Sequence, residues 1–353
     1  MIRIVKSCLA LLRSGPRLRV GAVWIMCLSW LWCGCRAPAL SEQQAWEIRQ
    51  RSLAELKLSA TTADDPQIRV RALRGLEAGG DAHFDSWTRL ALYDPAPAVR
   101  LEAIMLLRNR RADLSTDFWR RFLDDEDELV RAGAMLCLFE SGRSEYGQML
   151  ERVRNAEMEL RRRSSAIPLL LALNERADDD ELRHRLSTAD ESEGALRFAA
   201  RTSLVARGDP EITREMILQA QAGGERDQEL AVEILSLSAD PNVLYILLER
   251  LQSCESLRGR LAAARGVGRF GSDAGLQLAL EYLGFEPLSG DEAGLTYAAD
   301  IRTLACEACA ELPTLKVLLA VSEKVVADDD AGVRTACAAA VLRILARRKE
   351  APQ

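Results

Sequence analysis

Two closely spaced cysteines, Cys306 and Cys309, have the Cys-x-x-Cys spacing that is used by redox centres and zinc sites. A structural zinc site needs a second pair of ligands, and the sequence has no other such pair and no histidine close by. The pair also lies inside a predicted helix, away from the amino end that would favour a thiolate. We therefore predict that both cysteines are packed thiols.

The two histidines are the other candidates for chemistry. His83 lies between Asp81 and Asp85, but one histidine and two acids without a second cluster are weak evidence for a metal. His184 lies on a charged helical face, where a solvated side chain is expected. The sequence also has no phosphate-binding glycine loop, no Gly-x-Ser-x-Gly elbow and no zincin motif. We therefore expect no metal, no cofactor and no catalytic residues, which predicts that the protein is not an enzyme.

A short pattern recurs seven times along the chain: an apolar residue, an arginine, and a small residue three positions after the arginine. The arginines are Arg69, Arg100, Arg131, Arg161, Arg197, Arg302 and Arg334. Two weaker copies fill the gap between Arg197 and Arg302, and the stretch 284–292 is interpreted as a loop insertion in the eighth unit. Self-similarity at a period of roughly 30 residues is typical of a solenoid. The count predicts nine units.

Each unit is predicted to be a pair of helices joined by an acidic turn. In the first unit Asp65 can cap the second helix, and Pro66 is tolerated in its first turn. Apolar residues such as Val99, Ala103 and Leu106 then follow at helical spacing. Aromatic residues make up only 5% of the chain, which suits helices better than a β-sandwich. The predicted fold is all-α, a right-handed α-solenoid of about nine helix pairs over residues 45–348.

These units resemble HEAT repeats, in particular the short HEAT-like form that also occurs in phycobilin lyases. In that family the turn aspartate and the helix arginine form a polar ladder between neighbouring units. The resemblance implies the pairs Asp94 with Arg100, Asp125 with Arg131, and Asp328 with Arg334, and also Asp65 with Arg69 at a shorter spacing. Arg161, Arg197 and Arg302 complete the predicted ladder. A charge-assisted hydrogen bond that is repeated along a stack would fix its register.

The amino terminus has a different character. Five basic residues and no acidic residue come before an apolar run from Val20 to Cys35, which is the order of an export signal. The run is short for a membrane-spanning helix, which needs about 20 residues. Its end, Gly34 before Cys35, resembles the lipobox of bacterial lipoproteins. This resemblance implies a signal peptide over residues 1–34, lipid attachment at Cys35 and a linker over residues 35–44; a plain cleaved signal and an uncleaved anchor are the alternatives.

The charge balance bears on possible partners. Removal of residues 1–34 leaves 42 basic and 53 acidic residues, a net charge of −11 that disfavours nucleic acid.

We expect a non-catalytic HEAT-repeat scaffold that is exported, lipid-anchored on the periplasmic or outer-membrane side of the bacterial cell envelope, and bound to a protein partner. The alternatives are an accessory or lyase-like HEAT protein that cradles a prosthetic group or an acceptor protein, and an anchored spacer.

Overall fold

The structure is a computed structural model that describes residues 40–110, 114–156, 163–287 and 289–350. Residues 45–353 form one compact unit, and residues 1–44 are a separate one. The described residues form eighteen α-helices and two short 3₁₀ segments, Ser164–Ala166 and Pro241–Val243. The helices are α1 Glu42–Thr62, α2 Pro66–Ala78, α3 Phe84–Ala91, α4 Pro97–Asn109, α5 Thr116–Arg120, α6 Glu128–Glu140, α7 Glu145–Ala156, α8 Ile167–Asn174, α9 Asp179–Thr188, α10 Gly194–Ala206, α11 Pro210–Ala222, α12 Glu225–Leu235, α13 Leu244–Ser253, α14 Leu257–Arg269, α15 Leu276–Tyr282, α16 Glu292–Cys309, α17 Leu315–Ala327 and α18 Ala331–Glu350.

Over the described residues, consecutive helices pack in pairs, such as α3 with α4 and α17 with α18. The predicted all-α solenoid is confirmed. Within the compact unit, the second helix of each pair, α2 to α18 in even numbers, packs against the second helix of the next pair. The series does not end at α18, because α18 also packs against α2. The even-numbered helices therefore form a closed ring, and the odd-numbered helices lie against them.

Local signals in the turns set the start of the second helices. Asp65 accepts a hydrogen bond from the backbone N–H of Gln67, and Pro66 occupies the first turn of α2. Asp127 caps α6 in the same way, through the N–H groups of Leu129 and Val130. Each carboxylate satisfies backbone donors that have no partner inside the helix.

The core includes the small residue of most of the repeats. Ala72, Ala103, Ala134, Ala200 and Ala305 are all fully buried, because their helices approach a neighbour closely at these positions. Leucine, isoleucine and valine side chains fill the space on either side of the contacts. Burial between neighbouring units is the main source of stability in such a stack.

The closing contact between the last unit and the first is polar as well as apolar. Arg334 Nε donates to Glu55 Oε1 at 3.0 Å, and the hydroxyls of Thr335 and Ser59 are hydrogen-bonded at 2.8 Å. A Cβ on Gly75 of α2 would lie 3.0 Å from the Cβ of Ala339 on α18, so the two helices almost touch there. We call these contacts the seam.

The prediction of packed thiols is corrected for Cys306. Cys306 on α16 and Cys337 on α18 form a disulfide, with Cα atoms 5.2 Å apart, whereas Cys309 is a free buried thiol. The two half-cystines lie 31 residues apart in neighbouring units. Sequence spacing alone could not show this pairing, because it depends on how α16 and α18 face each other.

The eighth unit carries the predicted insertion, which is the connection between Tyr282 and Glu292. The ring of Phe285 contacts Tyr282 in a tilted arrangement and Tyr297 edge-on. Arg302 donates a hydrogen bond to the carbonyl of Phe285 at 3.1 Å. In the part of the chain that the structure describes, no helix has both the length and the hydropathy to cross a bilayer.

Candidate functional site

The ladder arginines of the first two units make the same set of contacts. Arg69 donates from Nε and Nη2 to the two carboxylate oxygens of Asp94, each at 2.8 Å. Its Nη1 donates to the carbonyls of Ala63 and Asp64 in its own turn. Arg100 repeats the pattern with the carboxylate of Asp125, at 2.9 and 2.7 Å, and with the carbonyl oxygens of its own turn. These bidentate pairs are nearly buried.

The observed pairing differs from the expected one by one unit. Asp94 was expected to pair with Arg100, but its carboxylate binds Arg69 of the preceding unit, while Arg100 reaches only the backbone carbonyl of Asp94. Asp328 likewise binds Arg302, and Arg334 donates to the Asp328 carbonyl. The reason is geometric: a guanidinium bonded to its own turn points its remaining edge towards the next unit.

The ladder continues across the seam. Arg334, in the last unit, binds Glu55 of α1, which occupies the place that the turn aspartate of a following unit would take. Glu55 was not among the predicted ladder residues, because it lies inside a first helix and not in a turn. Its partner is 279 positions away along the chain.

Other predicted positions do not follow this scheme. Arg131 donates to the carbonyls of Asp125 and Glu126, and Arg163, not a predicted position, binds Asp127 at 3.1 Å. Asp65 caps α2 and does not bind the Arg69 side chain. Arg197 is half-buried on α10. Arg161 and Cys35 lie outside the described residues.

The inner face of the ring carries ion pairs between neighbouring second helices. Arg74 on α2 makes a bidentate pair with Glu102 on α4, at 2.6 and 2.7 Å. Arg265 on α14 binds Glu233 on α12 and Glu307 on α16. Burial of Arg265 opposes its charge, but these carboxylates outweigh burial and raise the pKa of the guanidinium. The inner charges are thus largely neutralised by one another.

A cavity of about 650 Å³ lies inside the ring, between α2 and α4 on one side and α8 on the other. Its lining combines apolar residues such as Met105 and Leu171 with the charged residues Arg74 and Glu77. Burial raises the pKa of Glu77 above its ordinary value, and Arg110 opposes this effect. The lining includes three basic and three acidic side chains.

The thiols and histidines do not form a reactive group. Burial raises the pKa of the Cys309 thiol to about 12, which keeps it protonated and unreactive. His83 directly precedes α3, and its side chain makes no capping hydrogen bond there. The side chain of His184 is exposed. Over the described ranges, no three His, Cys, Asp or Glu side chains are grouped so that they could hold a metal ion.

The two edges of the ring differ strongly in charge. The hairpin rim consists of the turns within units, and it exposes ten acidic residues and one basic residue, Arg121, among the described residues. The acidic residues are Asp64, Asp65, Asp124, Glu126, Asp190, Glu191, Glu255, Glu286, Asp291 and Asp329. The linker rim consists of the connections between units, and in its described part it exposes the acidic residues Glu175, Asp178 and Asp273 and the basic residues Arg110, Arg143, Arg176 and Arg207.

Part of the acidity of the hairpin rim has a structural cause. Second helices begin at this rim, and acidic side chains are favoured near helix amino termini. Only Asp65 and Asp291 of the ten, however, cap a helix through the side chain. Exposed apolar residues lie beside the acids: Tyr93 is 69% exposed, Leu58 54% and Val326 61%. These three belong to the second, first and ninth units, which are neighbours around the seam.

Comparison with known proteins gives likenesses among solved structures. No protein-family model matches the sequence, and the search of curated proteins gives no match. The chain is similar in structure to human deoxyhypusine hydroxylase in complex with glycerol, with a TM-score of 0.35, 15% sequence identity, and coverage of 85% of this chain and 98% of that chain. The all-α fold of the described residues is compatible with a HEAT-like repeat protein.

The expectation that the chain is not an enzyme is corrected by this comparison. The similar structure is that of an enzyme, a hydroxylase. Function belongs to sites that are carried by a fold and not to the fold itself. A likeness at a TM-score of 0.35 does not, in turn, assign an activity to this chain.

Proposed function

We propose that this protein is a HEAT-like scaffold of the bacterial cell envelope, tethered to a membrane through an acylated Cys35, and that it binds a protein partner on its hairpin rim. The basic, then apolar, amino terminus that ends at Gly34 and Cys35 supports export and tethering. The disulfide between Cys306 and Cys337 also supports export, because disulfides persist in oxidising compartments.

The charge and shape of the hairpin rim carry the proposal of a partner. Among its described residues, this rim exposes ten acidic residues and one basic residue. The exposed side chains of Leu58, Tyr93 and Val326 lie beside them. A basic, amphipathic segment of another protein complements such a surface in both charge and hydrophobicity. The inner face is a weaker candidate, because its charges are already paired within the ring.

Site-specific photo-crosslinking tests this surface. A benzophenone amino acid at Tyr93, on the hairpin rim, is compared with the same group at Tyr245, which is 59% exposed at the start of α13 beside the linker rim. We expect a discrete protein adduct from position 93 in intact cells and none from position 245. Adducts of equal yield from both positions would contradict docking on the hairpin rim.

Charge variants identify the partner's chemistry. We expect the pair Asp64→Lys and Asp124→Lys to lower the adduct yield at position 93 on the order of tenfold, because the basic partner loses its attraction. The matched control pair, Asp178→Lys and Asp273→Lys, adds the same charge on the linker rim and should leave the yield unchanged. If both pairs act equally, net charge and not the rim governs binding.

A further inference from the structure

The helix α16 begins earlier in its repeat than α2, α4 and α18 do. The repeat arginine is the fourth residue of those three helices, whereas Arg302 is the eleventh residue of α16. Arg302 binds Asp328 of the next unit as Arg69 binds Asp94, so the register of the unit is unchanged. The seven additional residues, 292–298, therefore extend α16 outward at the hairpin rim by about 10 Å. We call them the α16 extension.

The α16 extension leaves most of its side chains in solvent. Five of its seven residues are exposed, including Leu295 at 54% and Tyr297 at 37%, and only Ala298 is buried. Asp291 caps the extension by accepting a hydrogen bond from the N–H of Gly294 at 2.9 Å. Most helices in proteins are stabilised by packing of an apolar face, which this segment does not provide. We therefore interpret the α16 extension as a contact surface for another molecule.

An open groove of about 650 Å³ lies between the α16 extension and the start of α14 in the seventh unit. The ring of Tyr297 and the carboxylates of Asp291 and Glu292 line it. Arg258 is the one basic side chain among the described lining residues, and it forms an ion pair with Asp300. The charge that remains in the groove is therefore negative.

The surrounding sequence supplies no further cation. Residues 270–301 include six acidic residues and no lysine, arginine or histidine. Arg302, the next basic residue along the chain, is bound to Asp328 and to the carbonyl of Phe285. A positively charged side chain from another molecule would thus meet no competing cation from this stretch of the chain.

A guanidinium matches the groove better than an ammonium group does. Its flat face stacks on an aromatic ring, while the N–H donors at its edge bind carboxylates in pairs. The rings of Phe285 and Tyr297 meet edge to face, with centroids 6.1 Å apart, so Phe285 covers at most one face of Tyr297. The other face is open to a ligand that also reaches the two carboxylates of the groove.

We propose that the groove beside the α16 extension binds an arginine side chain of the partner, stacked on Tyr297 and hydrogen-bonded to Asp291 and Glu292. This inference rests on the proposed docking of a basic segment on the hairpin rim. It adds that the segment carries an arginine, and that a lysine at the same place binds less tightly because it cannot stack or form the paired hydrogen bonds.

Two fluorescein-labelled peptides, hexa-arginine and hexa-lysine, test the groove by fluorescence anisotropy with the full-length protein in detergent. We expect hexa-arginine to bind roughly threefold or more tightly than hexa-lysine at the same salt concentration. Tyr297→Leu should bring this ratio close to one. Tyr297→Phe, which keeps the ring, and Tyr245→Leu, which removes an exposed tyrosine beside the linker rim, should preserve it. A ratio of one in the wild type, or a ratio that survives in Tyr297→Leu, would overturn the arginine site.

A charge variant tests the carboxylates independently of the ring. Glu292→Gln should weaken the binding of hexa-arginine several-fold. The matched control is Glu211→Gln, because Glu211 is likewise an exposed acid in the first turn of its helix, α11, and this change should have a much smaller effect. Equal effects of the two changes would contradict the groove, and unchanged melting temperatures exclude a loss of folding as the cause.

The photo-crosslinking at position 93 separates this inference from the proposed function. A discrete adduct at position 93 together with no arginine preference would refute the arginine groove alone. An intact arginine preference without any adduct in cells would refute docking on the hairpin rim and leave the groove as an arginine-binding site.

Discussion

Single polar side chains in this protein connect successive units by bonding to both at once. Asp209 shows this well. Its carboxylate accepts hydrogen bonds from the N–H groups of Glu211 and Ile212 at the start of α11, and from Arg183 Nε of the preceding unit at 2.8 Å. Burial alone would raise the pKa of Asp209, but these hydrogen bonds and the charge of Arg183 outweigh it and lower the pKa.

We predict that Asp209→Asn loses stability in a pH-dependent way. A carboxyl whose folded pKa is depressed stabilises the fold above its unfolded pKa of about 3.9, and this contribution disappears as the pH falls through the folded pKa. The variant should therefore be less stable by about 1 to 3 kcal/mol at pH 7, and the difference from the wild type should vanish at the acid end. Urea denaturation of the variant and of the wild type at a series of pH values measures the difference in the free energy of unfolding and its change with pH.

The exposed Asp273 on the linker rim provides the control. Its replacement, Asp273→Asn, should change the free energy of unfolding by less than about 0.5 kcal/mol at pH 7. A loss in Asp209→Asn that stays constant down to low pH would show that the cap geometry, and not the charge of the carboxylate, stabilises the helix pair.

Helices pack through small residues that bring the second helices of neighbouring units close together. Gly133 on α6 is an example, since a Cβ there would lie 3.0 Å from Leu101 and 3.3 Å from Ile104 on α4. Leu101 and Ile104 are themselves fully buried, so they have no free space into which to move. The distance between α4 and α6 is therefore set by the absence of a side chain at one position.

We predict that Gly133→Leu destabilises the protein by about 1 to 3 kcal/mol or more, because overpacking forces α4 and α6 apart. Gly194, at the start of α10, is the matched control, since a Cβ at this position would meet nothing within 4 Å. The change Gly194→Ala should be neutral or slightly stabilising. Thermal unfolding that is followed by circular dichroism distinguishes the two variants, and equal melting temperatures would contradict the close approach of α4 and α6.

The compact unit of residues 45–353 is a ring because its last helix pair completes the packing of its first. The seam uses the same kinds of contact as the other unit boundaries: an arginine bound to a carboxylate, small residues between second helices, and a hydrogen bond between Ser59 and Thr335. Closure removes the two exposed end faces that an open solenoid would have to cover with polar caps. It also leaves the rims and the outer helices as the surfaces available to a large partner.

We predict that the pair Ser59→Cys and Thr335→Cys forms a disulfide under oxidising conditions, since the two hydroxyl oxygens are 2.8 Å apart. This crosslink would close nearly the whole chain and should add about 2 to 4 kcal/mol to the free energy of unfolding. Non-reducing electrophoresis detects the crosslinked form. The pair Ser52→Cys and Thr335→Cys serves as the control, because Ser52 lies about 10 Å further along α1 and should not crosslink. Failure of the first pair to crosslink would indicate an open solenoid.

The repeating pattern of the sequence was enough to predict the helix pairs, their number and the residue types of the ladder. The reason is that helix starts and apolar stripes are local: Asp65 and Pro66 cap α2 wherever the rest of the chain lies. The pattern also located the buried small residues, such as Ala72 and Ala103, because each repeat makes the same contact with its neighbour. The sequence pattern could not indicate which of two neighbouring arginines a turn aspartate binds. Asp94, for example, binds Arg69 of the preceding unit.

Only the tertiary structure decided the closure of the ring, the pairing of Glu55 with Arg334, and the disulfide between Cys306 and Cys337. A repeat specifies contacts between adjacent units, whereas closure depends on the small rotation that each unit adds, summed over all nine. The total rotation cannot be inferred from the residues of one repeat. The division into an acidic hairpin rim and a nearly neutral linker rim likewise becomes visible only when turns that are far apart in sequence are brought to the same edge.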